Sequence, residues 1–149
     1  MRGLRHRLRA LRQLHGVAEL LLLVRLGAFA TAVPWLMRLP LTRLSTLLTR
    51  PAGTGHPAAS EIERLDRLVS LAPRVAHPVV RSGCLTRGVT LFWFLRRAGL
   101  DVELAFGLDA GQDRAIDGHC WLSLGGEPFL EKRDPRSQFA EIYRLPLRA

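Results

Sequence analysis

The spacing of apolar residues along the first third of the chain predicts a layer of helices. Leucines in residues 1–15 recur every three or four positions, as in a basic amphipathic helix. Further helical patterns cover about 17–33 and 35–49, with Pro34 and Pro40 as the expected breaks or first-turn positions. We therefore expect residues 1–50 to form a helical N-terminal segment, and the Pro- and Gly-rich residues after it to form a loop.

Two more helices are predicted in the middle of the chain. The capping-box sequence Ser60-Glu61-Ile62-Glu63 predicts a helix over about 60–71 that ends near a proline. Ser82 is placed to cap the next helix, over about 84–98, and Gly99 to close it. Because this second helix is apolar on nearly every face, we expect it to be central and buried.

After residue 100 the pattern changes from helical to alternating, which indicates strands. Residues 102–106 alternate apolar and polar side chains as in a half-buried strand, and a second strand is predicted over about 116–124. Gly125-Gly126 is a hairpin signal, so 127–132 should return antiparallel. Helices followed by a small antiparallel sheet make an α+β fold, with a basic helical segment at 1–50 and a second unit at 60–149.

Charge is concentrated in the N-terminal segment. Of a total net charge of +9, residues 1–50 carry +8, from nine arginines and one acid. Clustered arginines suit nucleic acid, anionic lipid or an acidic protein surface. No helix-turn-helix, zinc-finger or RNA-binding signature is present, so we expect no nucleic-acid partner and favour docking onto a membrane surface or a protein.

The chain has 149 residues of ordinary globular composition, which excludes a repeat array or a two-domain enzyme. Two cysteines are too few for a disulfide framework, so we expect reduced thiols and a cytoplasmic protein. Glu19 and Arg25 interrupt the apolar run that a signal peptide needs. The uncharged stretch 26–37 is shorter than the roughly 18–20 residues that span a bilayer, so no transmembrane helix is expected.

Cys84 and His119 are the candidate catalytic pair. Cys84 is predicted in the first turn of a helix, where free N–H groups favour a thiolate, although a buried structural cysteine is the common alternative. His119 is the candidate base, and Trp121, two residues on, shares its strand face. Glu131 is the nearest orienting acid and Asp134 the alternative.

Other side chains near the pair have weaker assignments. Arg87 follows Cys84 on the same helical face and is expected, with Trp121, to contribute to substrate binding, although an ion pair is an equal alternative for Arg87. Cys120 should point away from the face of His119 and leave the chemistry unaffected. The histidines show no ligand spacing, so no metal or other cofactor is expected.

Three blocks of sequence carry a resemblance to a known family. They are Cys84-Leu85-Thr86-Arg87 with the aromatic helix that ends at Gly99, then Val102-Glu103-Leu104-Ala105-Phe106-Gly107, then Gly118-His119-Cys120-Trp121-Leu122. In order and spacing, over about 60–149, the chain resembles the transglutaminase-like leader peptidases of lasso peptide biosynthesis. That family usually has alanine on both sides of the histidine, where this chain has glycine and cysteine.

The resemblance implies a cysteine peptidase that removes the leader of a ribosomally made precursor peptide. Cys84 would be the nucleophile, His119 the base and then the acid, and Glu131 the orienting carboxylate. The implied partners are the precursor, a separate PqqD-like leader-recognition protein and an asparagine-synthetase-like cyclase. A transglutaminase-like acyltransferase and a non-catalytic docking adaptor are the alternatives.

Overall fold

The computed structural model describes residues 16–49, 54–76, 80, 83–109 and 117–146. Within them an α+β fold has four helices, α1 (Val17–Leu36), α2 (Leu41–Leu48), α3 (Ala59–Ala76) and α4 (Cys84–Ala98). Four strands follow: β1 (Val102–Asp109), β2 (Asp117–Leu124), β3 (Glu127–Phe129) and β4 (Ala140–Leu145), with a short 3₁₀ helix at Pro135–Ser137. The helix predicted in residues 1–15 and the Ser82 cap lie outside the described residues.

The four strands form one antiparallel sheet in the order β3-β2-β1-β4. The sequence did not predict β4, which pairs along the edge of β1 and makes β1 central. For that reason β1 is buried along most of its length instead of half-buried. Its Glu103 is only 5% exposed, and Nη1 of Arg144 in β4 forms an ion pair with the Glu103 carboxylate.

Two predicted helix ends at proline are wrong. Pro34 lies inside α1, and Pro73 lies inside α3, which continues to Ala76. A proline within the last turn or so removes one backbone hydrogen bond, and burial of the surrounding apolar face outweighs that loss. The capping-box prediction also fails, because Ala58 O already accepts from Glu61 N at 2.9 Å and Ser60 is inside the helix.

Helix α4 confirms its prediction at both ends and in its burial. Gly99 ends it with a φ of +100°, a left-handed conformation that glycine adopts without strain. Gly88, in the middle of the helix, faces β2: a Cβ there would lie 3.0 Å from Cys120 Sγ. The residues of α4 that are fully buried are Val89, Thr90, Leu91, Phe92 and Leu95.

Helix α1 packs one face on α3 and α4. Its buried Glu19 accepts from Arg67 at 2.7 Å and lies 3.3 Å from Arg64 Nε, which ties α1 to α3. By length and composition alone α1 is apolar enough to cross a membrane, although the sequence predicted no transmembrane helix. Its most apolar 18 residues have a mean hydropathy of 1.7, and 28% of them are buried. The core helix of a soluble protein passes the same test, so this is weak support for a span.

Candidate active site

Cys84 is the first residue of α4, and its sulfur lies against the start of β2. Gly83 precedes it without a side-chain cap, and the first intrahelical bond runs from Arg87 N to Gly83 O at 3.1 Å. The N–H groups of the first turn therefore have no intrahelical acceptor. Cys84 Sγ is 4.0 Å from the carbonyl oxygen of Gly118, next to His119. Cys84 and His119, the two residues that the sequence paired, also line the same cleft.

Two aromatic rings stack against His119. Trp121, on the same face of β2, is stacked at 6.2 Å between ring centroids, and Phe139 at 5.1 Å. Trp121 is 1% exposed, so it presents almost no surface to a substrate and packs against the imidazole instead. Phe139 was missed, because only the return of β4 along β1 brings it here.

Glu131 lies close to one ring nitrogen of His119, Nε2. Its Oε2 is 4.0 Å from His119 Nε2, a charge-pair distance longer than a hydrogen bond. Catalytic contacts are often this loose without substrate. The predicted return strand ends early at Phe129, and Leu130 has a φ of +59°, an uncommon conformation for leucine that turns the chain immediately before Glu131.

Asp134, the alternative acid, is engaged elsewhere. Its carboxylate accepts from Arg136 N at 2.9 Å and caps the 3₁₀ helix, and Arg136 Nη2 lies 2.7 Å from its Oδ2. These bonds lower the pKa of Asp134. Of the two acids, Glu131 is therefore the one that the fold brings to His119.

Arg87 connects three elements around Glu131. Its Nη1 donates to Glu131 Oε1 at 3.0 Å, and its Nη2 donates to Asp66 Oδ1 and to Leu130 O, each at 2.8 Å. The guanidinium is thus committed to protein acceptors, which favours the ion-pair interpretation over substrate binding. Asp66 of α3 was missed, since a helix-to-helix contact 21 residues apart leaves no local signal.

The surroundings of Cys84 favour its thiolate. They lower its pKa from 9.0 to about 5, first through a hydrogen bond from the Cys120 thiol and also through His119, while burial opposes the shift. The same contact raises the pKa of Cys120, so its proton stays in place. Cys120 is buried on the core side of β2, as expected, and its thiol nevertheless contributes most to the lowered pKa of Cys84.

Cys84 and His119 line a cleft of about 870 Å³. Its walls include Asp66, Ser70, Arg87, Glu131 and Phe139. Within the described part of the chain there is no group of three or more metal-ligating side chains. The arrangement offers a thiolate, an imidazole backed by a carboxylate, and helix N–H groups beside the sulfur, which are the components of cysteine-dependent acyl transfer.

Comparison with family models identifies the class of protein that this fold and site define. The model of the transglutaminase-like superfamily matches residues 22–144, which is most of the chain. The protein belongs to the transglutaminase-like superfamily. The match begins inside α1, so it includes helices that pack on the site as well as the site itself. Searches of curated proteins and of solved structures found no match.

Proposed function

We propose that the protein is a cysteine peptidase that removes the leader peptide from a ribosomally synthesised lasso peptide precursor. The observation that carries the enzymatic part is the meeting of Cys84, His119 and Glu131 at the start of α4. The substrate class rests on the three sequence blocks that resemble lasso leader peptidases. The superfamily match is compatible with that substrate class but does not distinguish it from others in the superfamily.

In the proposed acylation, the Cys84 thiolate attacks the carbonyl carbon of the last leader residue. The oxygen becomes negative, and the N–H groups of the first turn of α4 are positioned to stabilise it. His119 Nε2 lies 4.0 Å from Glu131 Oε2, so we assign the proton exchange with the reacting groups to Nδ1. Protonated His119 then donates to the departing amine as the C–N bond breaks, and a thioester remains.

In the proposed second half, His119 takes a proton from water as water attacks the thioester. The C–S bond breaks, Cys84 leaves as a thiolate, and the leader is released with a free carboxylate. Glu131 stabilises the imidazolium in both halves, and Arg87 keeps Glu131 in place. An amine in place of water would give an amide by the same route, which is the acyltransferase alternative.

The decisive experiment supplies a cognate precursor together with its recognition protein and follows the products by mass spectrometry. We expect the wild-type protein to give separate leader and core peptides. Cys84→Ala should give neither, with an unchanged circular dichroism spectrum. Cleavage at the wild-type rate by Cys84→Ala would rule out the peptidase.

A second arm of the experiment distinguishes the peptidase from the acyltransferase. The same reaction is run with a large excess of a primary amine such as glycine methyl ester. A peptidase should still give mainly the leader carboxylate, whereas an acyltransferase should give mainly the amide, identified by its mass. Dominant amide formation would replace the peptidase proposal by the alternative.

The proposed partners follow from the same assignment. The precursor would be held by a separate leader-recognition protein, and the freed core would pass to an asparagine-synthetase-like cyclase. The basic N-terminal segment is the proposed contact with one of these proteins or with a membrane surface. Copurification with each candidate, before and after deletion of residues 1–15, tests which contact is made. If the deletion abolishes none of these interactions, a docking role for residues 1–15 is contradicted.

A further inference from the structure

A second cavity, of about 330 Å³, adjoins Cys84 but is not lined by His119 or Glu131. Ser70, Cys84 and Arg87 line both this cavity and the cleft that His119 and Glu131 line, so the two spaces adjoin at the start of α4. The cavity lies among α1, α3 and the first two turns of α4, and its apolar lining is Leu26, Ala30, Val69, Ala72, Pro73 and Val80. The catalytic cleft, by contrast, is lined by several charged side chains.

One side chain in this lining has an unmet hydrogen-bonding group. Thr90 is 0% exposed, and its Oγ1 has no hydrogen-bond partner among the described residues. A helical threonine ordinarily donates to a carbonyl one turn back. Thr31 does so to Ala28 O at 2.7 Å, and Thr46 to Thr42 O at 2.8 Å. A buried hydroxyl left unsatisfied is costly, so a partner supplied by a ligand would be favourable.

We propose that this cavity binds a mainly apolar side chain of the acyl donor, and that Thr90 selects a side chain carrying a hydrogen-bonding atom. The inference rests on the proposed function, because it requires a peptide acyl group at Cys84. In a thioester, the side chains nearest the acyl carbon lie within a few bonds of the sulfur. An apolar side chain there is more stable in the apolar cavity than in the charged cleft.

The test uses short peptidyl chloromethyl ketones, which alkylate Cys84 and need no recognition protein. Residue X is varied at the first or second position before the ketone, with glycine and the isosteric pairs Val/Thr and Phe/Tyr. At one of the two positions we expect larger X to react faster than glycine. The hydroxyl-bearing member of a pair should react roughly fivefold faster than its isostere, as one net hydrogen bond predicts.

Thr90→Val tests the hydroxyl without changing the shape of the side chain. It should abolish the difference in reaction rate within the pairs, because the hydroxyl that distinguishes their members loses its partner. Its thermal stability should not fall, because the hydroxyl makes no hydrogen bond with the described residues. Retention of the preference in Thr90→Val would overturn the role of Thr90.

A cavity-filling substitution tests the location. Ala30→Leu places a larger side chain in the cavity, and Ala28→Leu makes the same change on the exposed face of the same helix. We expect Ala30→Leu to slow large probes on the order of tenfold relative to the glycine probe, and Ala28→Leu to have no effect. Equal behaviour of the two variants would overturn the assignment of the cavity.

Failure of this inference is distinguishable from failure of the proposed function. If iodoacetamide labels wild-type Cys84 rapidly but the probes show no dependence on X, the cavity proposal alone is overturned. If wild-type Cys84 resists iodoacetamide at neutral pH, the reactive thiolate itself is absent and the peptidase proposal fails with it. Cys84→Ala identifies the labelled residue in either case.

Discussion

In the cleft beside Cys84, charged side chains are held by partners from distant parts of the chain, whereas the outer face of α1 presents apolar side chains to solvent. Arg87 joins α3, α4 and the segment after β3 through Asp66 and Glu131. On α1, Leu21 is 60% exposed, Val24 59% and Trp35 66%. Networks of partnered charges fix geometry, and exposed apolar side chains favour contact with another surface. The two regions should therefore respond differently to substitution.

The largest difference is expected between the two candidate acids of the cleft. Glu131→Gln keeps the shape but removes the charge that stabilises protonated His119, and it should slow precursor cleavage on the order of 100-fold. Asp134→Asn is the matched control, since its carboxylate bonds Arg136 instead. Single-turnover cleavage rates give the comparison. A larger loss in Asp134→Asn would reverse the assignment of the two acids.

The next effect concerns Arg87 as a positioning residue. Arg87→Lys keeps a positive charge but loses the planar fork that holds Glu131 and Leu130 together, so cleavage should fall by roughly tenfold. Asp66→Asn, which leaves the bonds to Glu131 and Leu130 in place, should have a smaller effect. Because the loss acts through His119, kcat should fall with little change in KM. A rise in KM at constant kcat would instead support direct substrate binding by Arg87.

Sequence patterns predicted the contacts that depend on local signals and missed those that depend on packing. Gly99 and the Gly125-Gly126 hairpin are local signals, and they placed α4 and β2 well enough to bring Cys84 and His119 together. The contributions of Asp66 and Phe139 depend on how α3 and β4 pack, and nothing in the residues around either one encodes that. β4 itself was missed for the same reason, because its pairing partner is β1, more than thirty residues earlier.

Cys120 gives a pH-dependent prediction. Its thiol is the main cause of the lowered pKa of Cys84, so in wild-type protein the thiolate should predominate above a pH of about 5. Iodoacetamide labelling should rise through that pH and be near its plateau at pH 7. Cys120→Ala removes the donor, so the midpoint of the labelling curve should move toward the ordinary thiol value and labelling at pH 6 should fall. An unmoved midpoint would show that the Cys120 thiol is not what lowers the pKa of Cys84.

The smallest effect on the chemistry is expected from the outer face of α1. The double substitution Leu21→Ser and Val24→Ser removes exposed apolar groups. It should change the rate of Cys84 alkylation by less than about twofold, because surface substitutions away from networks of partnered charges usually have small effects. If this face docks on a membrane, binding to phosphatidylglycerol vesicles should fall on the order of tenfold in sedimentation assays. The buried pair of Glu19 with Arg67 would keep α1 on the protein in both forms. A large change in alkylation would mean that the two regions are coupled, because α1 also forms a wall of the cavity beside Cys84 through Leu26 and Ala30.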